Sequence, residues 1–234
     1  MRNKVIVIGL IVVIIAIVIH LTIFFGQKET FKQLEEYKAV TVFAKRYNLH
    51  ETTIQELEEK MAQLDKLIVE SFMEAITSES VNQATAHARY QHMQGVSYMA
   101  MELMIAYEEK SGIHFTEKQA ENLLIASYLH DIRKYAEGNH AKQGEKYVIA
   151  HLPSYITIDE ADLEMIGTLI RYHSKPLTNE QRDKLGEAAI LIDILQDADT
   201  GEKILTRGQS AKNNLTNLNL KSSQVRIKEM KQSF

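Results

Sequence analysis

The stretch Ala126–Tyr135, ASYLHDIRKY, sets His130 beside Asp131 at the end of an apolar run, with Lys134 three residues on. An apolar helix face does not welcome a carboxylate, and solubility does not require an imidazole, so something must satisfy both groups. Two other runs pose the same problem. His92 lies in ARYQHMQGVSYMAMELM, on a helix whose apolar face includes Val96, Met99, Ala100 and Met104, and Asp199 ends the run AAILIDILQDAD. Burying an unpaired ion is costly. Three core-facing helices that each deliver such groups therefore point to a shared neutraliser, and a divalent cation is the simplest. Neutral imidazoles with carboxylates suit Zn, Fe, Mn or Co, and open coordination positions would hold water and substrate. The chain has no Cys, which removes thiolate sites and disulfides. Asp197 competes with Asp199 for the last place, although two residues apart on a helix they point to different faces. His50, His87, His114 and His151 read as ordinary surface or core histidines.

The order His92, His130-Asp131, Ala198-Asp199 resembles that of the HD-domain metal-dependent phosphohydrolase superfamily, over roughly residues 85–205. Ala126–Tyr135 is similar to that family's AALLHDIGK run, with Lys134 retained and Arg133 where a glycine is usual. The resemblance implies that His92, His130, Asp131 and Asp199 ligate metal. NHAKQGEKYV is similar to the family's His-x-x-x-Gly-Ala segment and implies His140 as a ligand; IRYHSKP resembles the later histidine of two-metal subfamilies and implies His173. All six together resemble the binuclear branch that includes symmetrical hydrolases of dinucleoside tetraphosphates. The paired histidines and glycine-rich signature of the cyclic-di-nucleotide phosphodiesterases are absent.

The implied cofactor is one or two divalent ions, with Fe, Mn, Zn, Co and Mg not separable on these residues, and with Asp131 bridging where there are two. The implied reaction is cleavage of a nucleotide or other phosphate ester or anhydride by metal-activated hydroxide. Asp131 would sit at the catalytic centre. Lys134 would either hold a phosphate oxygen as a second catalytic group or face solvent at the helix end; Arg171 has the same two readings. A catalytically weak ligand-binding signalling module and a di-iron oxygenase of the same fold stay open as alternatives.

Helices must position these groups. The 234 residues include 10 Gly and 2 Pro, and strand-like alternation is scarce, so long helices joined by short turns are expected. Thr53-x-x-Glu56, Ser80-x-x-Gln83, Thr116-x-x-Gln119, Thr157-x-x-Glu160 and Thr178-x-x-Gln181 read as helix starts, Asn139-His140 as another, and Ser111-Gly112 as a stop. The last start is expected to open one long helix through AAILIDILQDAD. The fold class is thus all-α: an HD-domain-like helical bundle, preceded by a helical stalk and one N-terminal transmembrane helix.

That span is Val5–Phe25, 21 residues without a formal charge and with no cleavage-site pattern after it, long enough for a hydrocarbon core about 30 Å thick. Residues 1–27 are read as a membrane anchor, 28–79 as the stalk, 80–205 as the hydrolase-like domain and 206–234 as a basic polar tail. Arg2 and Lys4 favour an N-terminus held in the cytoplasm and a domain outside it, against the opposing charges of Lys28, Lys32, Lys38, Lys45 and Arg46. The expected partners are a phosphorylated small molecule, foremost a nucleotide, and the membrane, with a homodimer possible through the stalk. No nucleic-acid-binding signature is present.

Overall fold

The computed structural model describes residues 36–208, 210 and 212–232, and every regular element among them is helical. In chain order these are α1 (Glu36–Tyr47), α2 (Glu51–Thr77), α3 (Gln83–Ser111), α4 (Glu117–Leu129), α5 (His140–His151), α6 (Glu160–Tyr172), α7 (Asn179–Leu185), α8 (Ala188–Arg207) and α9 (Lys221–Gln232). Short 3₁₀ turns at Leu152–Ser154 and Leu215–Asn217 join some of them.

Helix α3 is the central rod. It buries residues on more than one side, among them Met93, Val96, Met101, Leu103 and Met104, and packs against α4, α8 and α9. It stops at Gly112, whose φ of 72° is the left-handed conformation that glycine adopts without a Cβ clash. Helix α4 is interior: every residue from Asn122 to Leu129 is buried. Its start is the expected capping box, with the Thr116 hydroxyl accepting from the Gln119 backbone N–H and the Gln119 side chain accepting from Thr116. After α4 the chain winds through consecutive turns at 130–136, where N–H groups of Ile132, Lys134 and Ala136 each donate to a carbonyl three residues back.

Several boundaries differ from expectation. The cap of α3 is Asn82, which accepts from the Thr85 N–H, and that of α6 is Asp159, which accepts from the Asp162 N–H; in each case the residue next to the helix is better placed than the upstream hydroxyl. Helix α2 begins at Glu51, before Thr53. The long helix expected from Thr178 breaks at Gly186, where φ is 55°. Seven residues of α7 then fold back so that the Arg182 guanidinium forks onto Asp193 of α8 at 2.6 and 2.8 Å.

The stalk is corrected by the packing. Leu57, Met61, Leu64, Leu67, Ile68 and Phe72 of α2 belong to the same buried core as α3 and α4, because a stripe of that width needs a partner surface and those helices provide it. Two buried tyrosines, Tyr90 of α3 and Tyr128 of α4, each donate a 2.6 Å hydrogen bond to Asp65 of α2. The Ser71 hydroxyl donates to the Ile132 carbonyl at 2.8 Å, so α2 also holds the turn after Asp131.

The segment after 206 is likewise built into the core. Ile227 and Met230 of α9 are buried, and Gly201 of α8 leaves the room that Ile227 occupies. Arg226 pairs with Glu102 of α3, so the charges of this basic segment are partly spent on packing.

The expectation of a single-pass membrane protein is corrected as well. Among the described residues no helix is long and apolar enough to cross a membrane, and Val5–Phe25 lies outside the described residues.

A substitution separates a core helix from a stalk. Leu64→Ala should lower the unfolding free energy by about 2–5 kcal/mol in chemical denaturation, as for a buried leucine. A stalk residue in solvent would change it by less than about 0.5 kcal/mol.

Candidate metal centre

Five helices and one turn carry the six residues singled out from the sequence to one place. His92 comes from α3, His130 from the C-terminal end of α4, Asp131 from the turn after it, His140 from the first residue of α5, His173 from the end of α6, and Asp199 from α8. His92 and His130 stand with ring centroids 5.4 Å apart, His130 and His173 5.1 Å, and His140 and His173 5.1 Å. His92, His130, Asp131 and His173 are buried; Asp199 and His140 are half-buried at the rim.

The hydrogen bonds fix which nitrogen faces which carboxylate. His130 Nδ1 donates to the Ser127 carbonyl at 2.7 Å, and His173 Nδ1 donates to the Ile170 carbonyl at 2.7 Å. Each ring therefore presents the Nε2 lone pair inward when neutral. His130 Nε2 is fully buried and makes no hydrogen bond; it lies 3.6 Å from Asp131 Oδ2 and 3.7 Å from Asp199 Oδ1. A buried acceptor without a donor costs about 1–3 kcal/mol. One aimed at two carboxylates is the geometry in which a cation, and not a proton donor, completes the set.

Two overlapping groups could hold an ion. One is His92, His130 and Asp199; the other is His130, Asp131 and His173. His140 joins the second half, its Nε2 lying 3.2 Å from both Asp131 Oδ1 and His173 Nε2. Asp131 faces both halves, with Oδ2 towards His130 and Oδ1 towards His140 and His173. Neutral imidazoles with two carboxylates and no thiolate fit Zn, Fe, Mn or Co.

Charge distribution follows the same lines. Burial opposes ionisation of Asp131, but the neighbouring His130, with hydrogen bonds from His140 and His173, outweighs it and holds this carboxyl well below the ordinary range. Asp199 behaves alike: His130 and His92 overcome its desolvation. Burial pushes the His130 imidazole down, which favours the neutral ring that a metal requires.

Three residues of the site were not anticipated. Glu202 Oε2 lies 2.5 Å from His92 Nδ1, while His92 Nε2 lies 2.9 Å from Asp199 Oδ1. A carboxylate behind the imidazole in this way fixes a ligand's orientation and tautomer. Gly95, one turn along from His92, makes the room: a Cβ there would lie 2.9 Å from Glu202 Cγ. The Arg89 guanidinium donates to Asp131 Oδ2 at 2.7 Å, and the Lys203 ammonium to Asp199 Oδ2 at 2.6 Å. All three sit three or four residues from a predicted ligand, hence on its helix face; that spacing was the available signal. Lys134 Nζ turns inward, 3.3 Å from Asp131 Oδ1 and 3.3 Å from His140 Nε2. Arg171 instead pairs with Glu145 at 2.6 Å, on an exposed face.

Asp197 is occupied elsewhere. Its two oxygens accept the backbone N–H groups of Asn219 and Leu220 at 2.6 and 2.9 Å, tying down the connection to α9. Burial pushes its carboxyl up to about 6. His50, His114 and His151 are exposed and His87 is half-buried; none belongs to a metal-holding group among the described residues.

Residues 89–202 match the family model of the HD domain. Over that stretch the chain is similar to an HD domain. The match begins at Arg89 and ends at Glu202, so it contains all six residues singled out from the sequence, with Arg89 and Glu202 at its ends. Domains of this family are generally metal-dependent hydrolases. No curated protein and no solved structure matches the chain.

Metal content distinguishes the roles of the neighbouring acids. Asp199→Ala should abolish metal uptake at the His92 half, and Asp197→Asn should retain it, as read by elemental analysis after dialysis against Mn or Zn. Glu202→Gln should weaken metal affinity about 10–100-fold in a chelator competition, the usual effect of removing a carboxylate behind a ligating histidine.

Proposed function

We propose that the HD domain is a metal-dependent phosphohydrolase acting on a phosphate ester or anhydride, with nucleotides as the leading substrate class. One observation carries the reading: the buried Nε2 of His130 has no hydrogen-bond partner and faces two carboxylates, while its Nδ1 is committed to a carbonyl. In this reading His92, His130 and Asp199 hold one divalent cation, and Asp131, His140 and His173, with His130, hold the same ion or a second.

Bound there, such a cation supplies Lewis acidity and a nucleophilic water at neutral pH. The protein's own groups do the rest. Arg89 and Lys203 each grip one carboxylate oxygen and leave the other turned to the histidines. Lys134, poised between Asp131 and His140, is the cation placed to neutralise charge that gathers on phosphoryl oxygens. The carbonyls of Ser127 and Ile170 keep His130 and His173 from rotating.

The test uses the full chain, loaded with Mn or Co and offered p-nitrophenyl phosphate and a nucleotide panel. Wild type should bind one or two ions and release phosphate. His130→Ala and Asp131→Ala should lose both, and Lys134→Ala should keep its metal while its rate falls on the order of 10²-fold. A wild-type chain that binds nucleotides without taking up metal would overturn the reading and make the domain a ligand-binding module.

A further inference from the structure

Beside the candidate ligand residues lies a cavity of about 430 Å³, lined by Asn139, Lys142, Arg171, Tyr172, Lys175 and Gln181 with Ser174, Pro176 and Thr178. Its volume falls in the range of small-molecule sites. No carboxylate lines it. Arg171 has its own counter-ion in Glu145, but the ammonium groups of Lys142 and Lys175 form no ion pair among the described residues. Two exposed cations without a protein counter-ion and a third beside them line one concavity, and an anion of more than one charge would be attracted by them together.

The position of this cavity says what kind of anion. Asn139 precedes His140, and Tyr172 and Ser174 flank His173, so its wall is one residue away from two of the proposed ligands. A smaller cavity, about 110 Å³, is lined by both His173 and Asp199 and shares Ser174, Lys175 and Pro176 with the larger one. The 174–176 loop thus borders both spaces. A single phosphoryl group would engage the ligand side alone. A chain of phosphates could lie with one end at His173 and the rest along Lys175 and Lys142.

We propose that the cavity at Lys142 and Lys175 binds the non-reacting part of an oligophosphate chain, whether inorganic or carried on a nucleoside. As a substrate subsite it rests on the phosphohydrolase reading; as an anion site it does not. The experiment therefore removes the metal. Full-length wild type, stripped with a chelator and dialysed, is titrated calorimetrically with inorganic tripolyphosphate, adenosine triphosphate and orthophosphate. Tripolyphosphate should bind one per chain, about tenfold or more tighter than orthophosphate, with affinity falling as salt rises. The double variant Lys142→Glu, Lys175→Glu should lose about tenfold or more, and Lys142→Gln, Lys175→Gln, which removes the charge without reversing it, should lose most of that. Unchanged melting temperatures keep the comparison with wild type fair.

Equal affinity in wild type and both variants would overturn the assignment, as would orthophosphate binding as tightly as tripolyphosphate. Adenosine triphosphate binding at least as well as tripolyphosphate supports a nucleoside-borne chain; binding no better than orthophosphate while tripolyphosphate binds tightly supports an inorganic one. None of these results depends on turnover. Hydrolytic inertness of the metal-loaded protein would sink the phosphohydrolase reading and leave the anion site standing.

Discussion

The His130 imidazole is shut off from bulk solvent. It is fully buried, one nitrogen is fastened to the Ser127 carbonyl, and the other is left facing Asp131 and Asp199. In the absence of a cation, that arrangement carries an unmet acceptor next to two anions, a combination that a folded core normally removes. The rest of the domain is arranged so that it cannot be removed. His130 is anchored from the interior helix α4, His173 repeats the same carbonyl tether from α6, and Asp199 arrives on α8 with its outer oxygen held by Lys203. The strain of collecting like-charged and unsatisfied groups is distributed over helices whose packing elsewhere is conventional.

Such a centre needs surroundings that do not give way. Helix α2 and the C-terminal segment provide them, although neither contains a ligand. Asp65 gathers the hydroxyls of Tyr90 and Tyr128, two residues before His92 and His130 respectively, so one carboxylate sets the spacing between the helices that bear those histidines. Ser71 fastens the turn that follows Asp131. On the far side, Asp197 ties the segment before α9 to α8 two residues before Asp199. These contacts restrict the ligands through their own helices, which is how a site gains precision from elements outside it.

Four of the converging residues were legible in the sequence because each is a polar group set in, or at the end of, an otherwise apolar run. His130-Asp131 and Asp199 break hydrophobic patterns that would be complete without them, and His92 does the same within α3. Capping boxes at Thr116 and Thr178 were legible for a similar local reason: hydroxyl and amide are three residues apart and need nothing else. What could not be read was decided by partners distant in sequence. The apolar stripe of α2 is equally compatible with a free stalk and a buried helix, and only the surface offered by α3 and α4 selects burial. Gly186 breaks a helix whose flanking sequence continues it, because Arg182 reaches Asp193 only if the chain folds back. Glu202 looked like one of many helix-surface acids until His92, 110 positions away, took it as a partner.

The cations fall into two sets. Arg89, Lys134 and Lys203 each face a carboxylate of the centre, and their charge is spent before any ligand arrives. Lys142 and Lys175 lie just beyond the histidine rim and face none. If the inner cations alone dealt with substrate charge, they would compete for it with Asp131 and Asp199. Lys134 can turn towards a phosphoryl group only by loosening its hold on Asp131. The outer pair carries no such cost, since nothing must be released when an anion enters. On the proposed reading, a multiply charged substrate would be gathered at the rim by unspent charge while Arg89 and Lys203 keep the carboxylates of Asp131 and Asp199 in place and Lys134 turns to the reacting phosphoryl group.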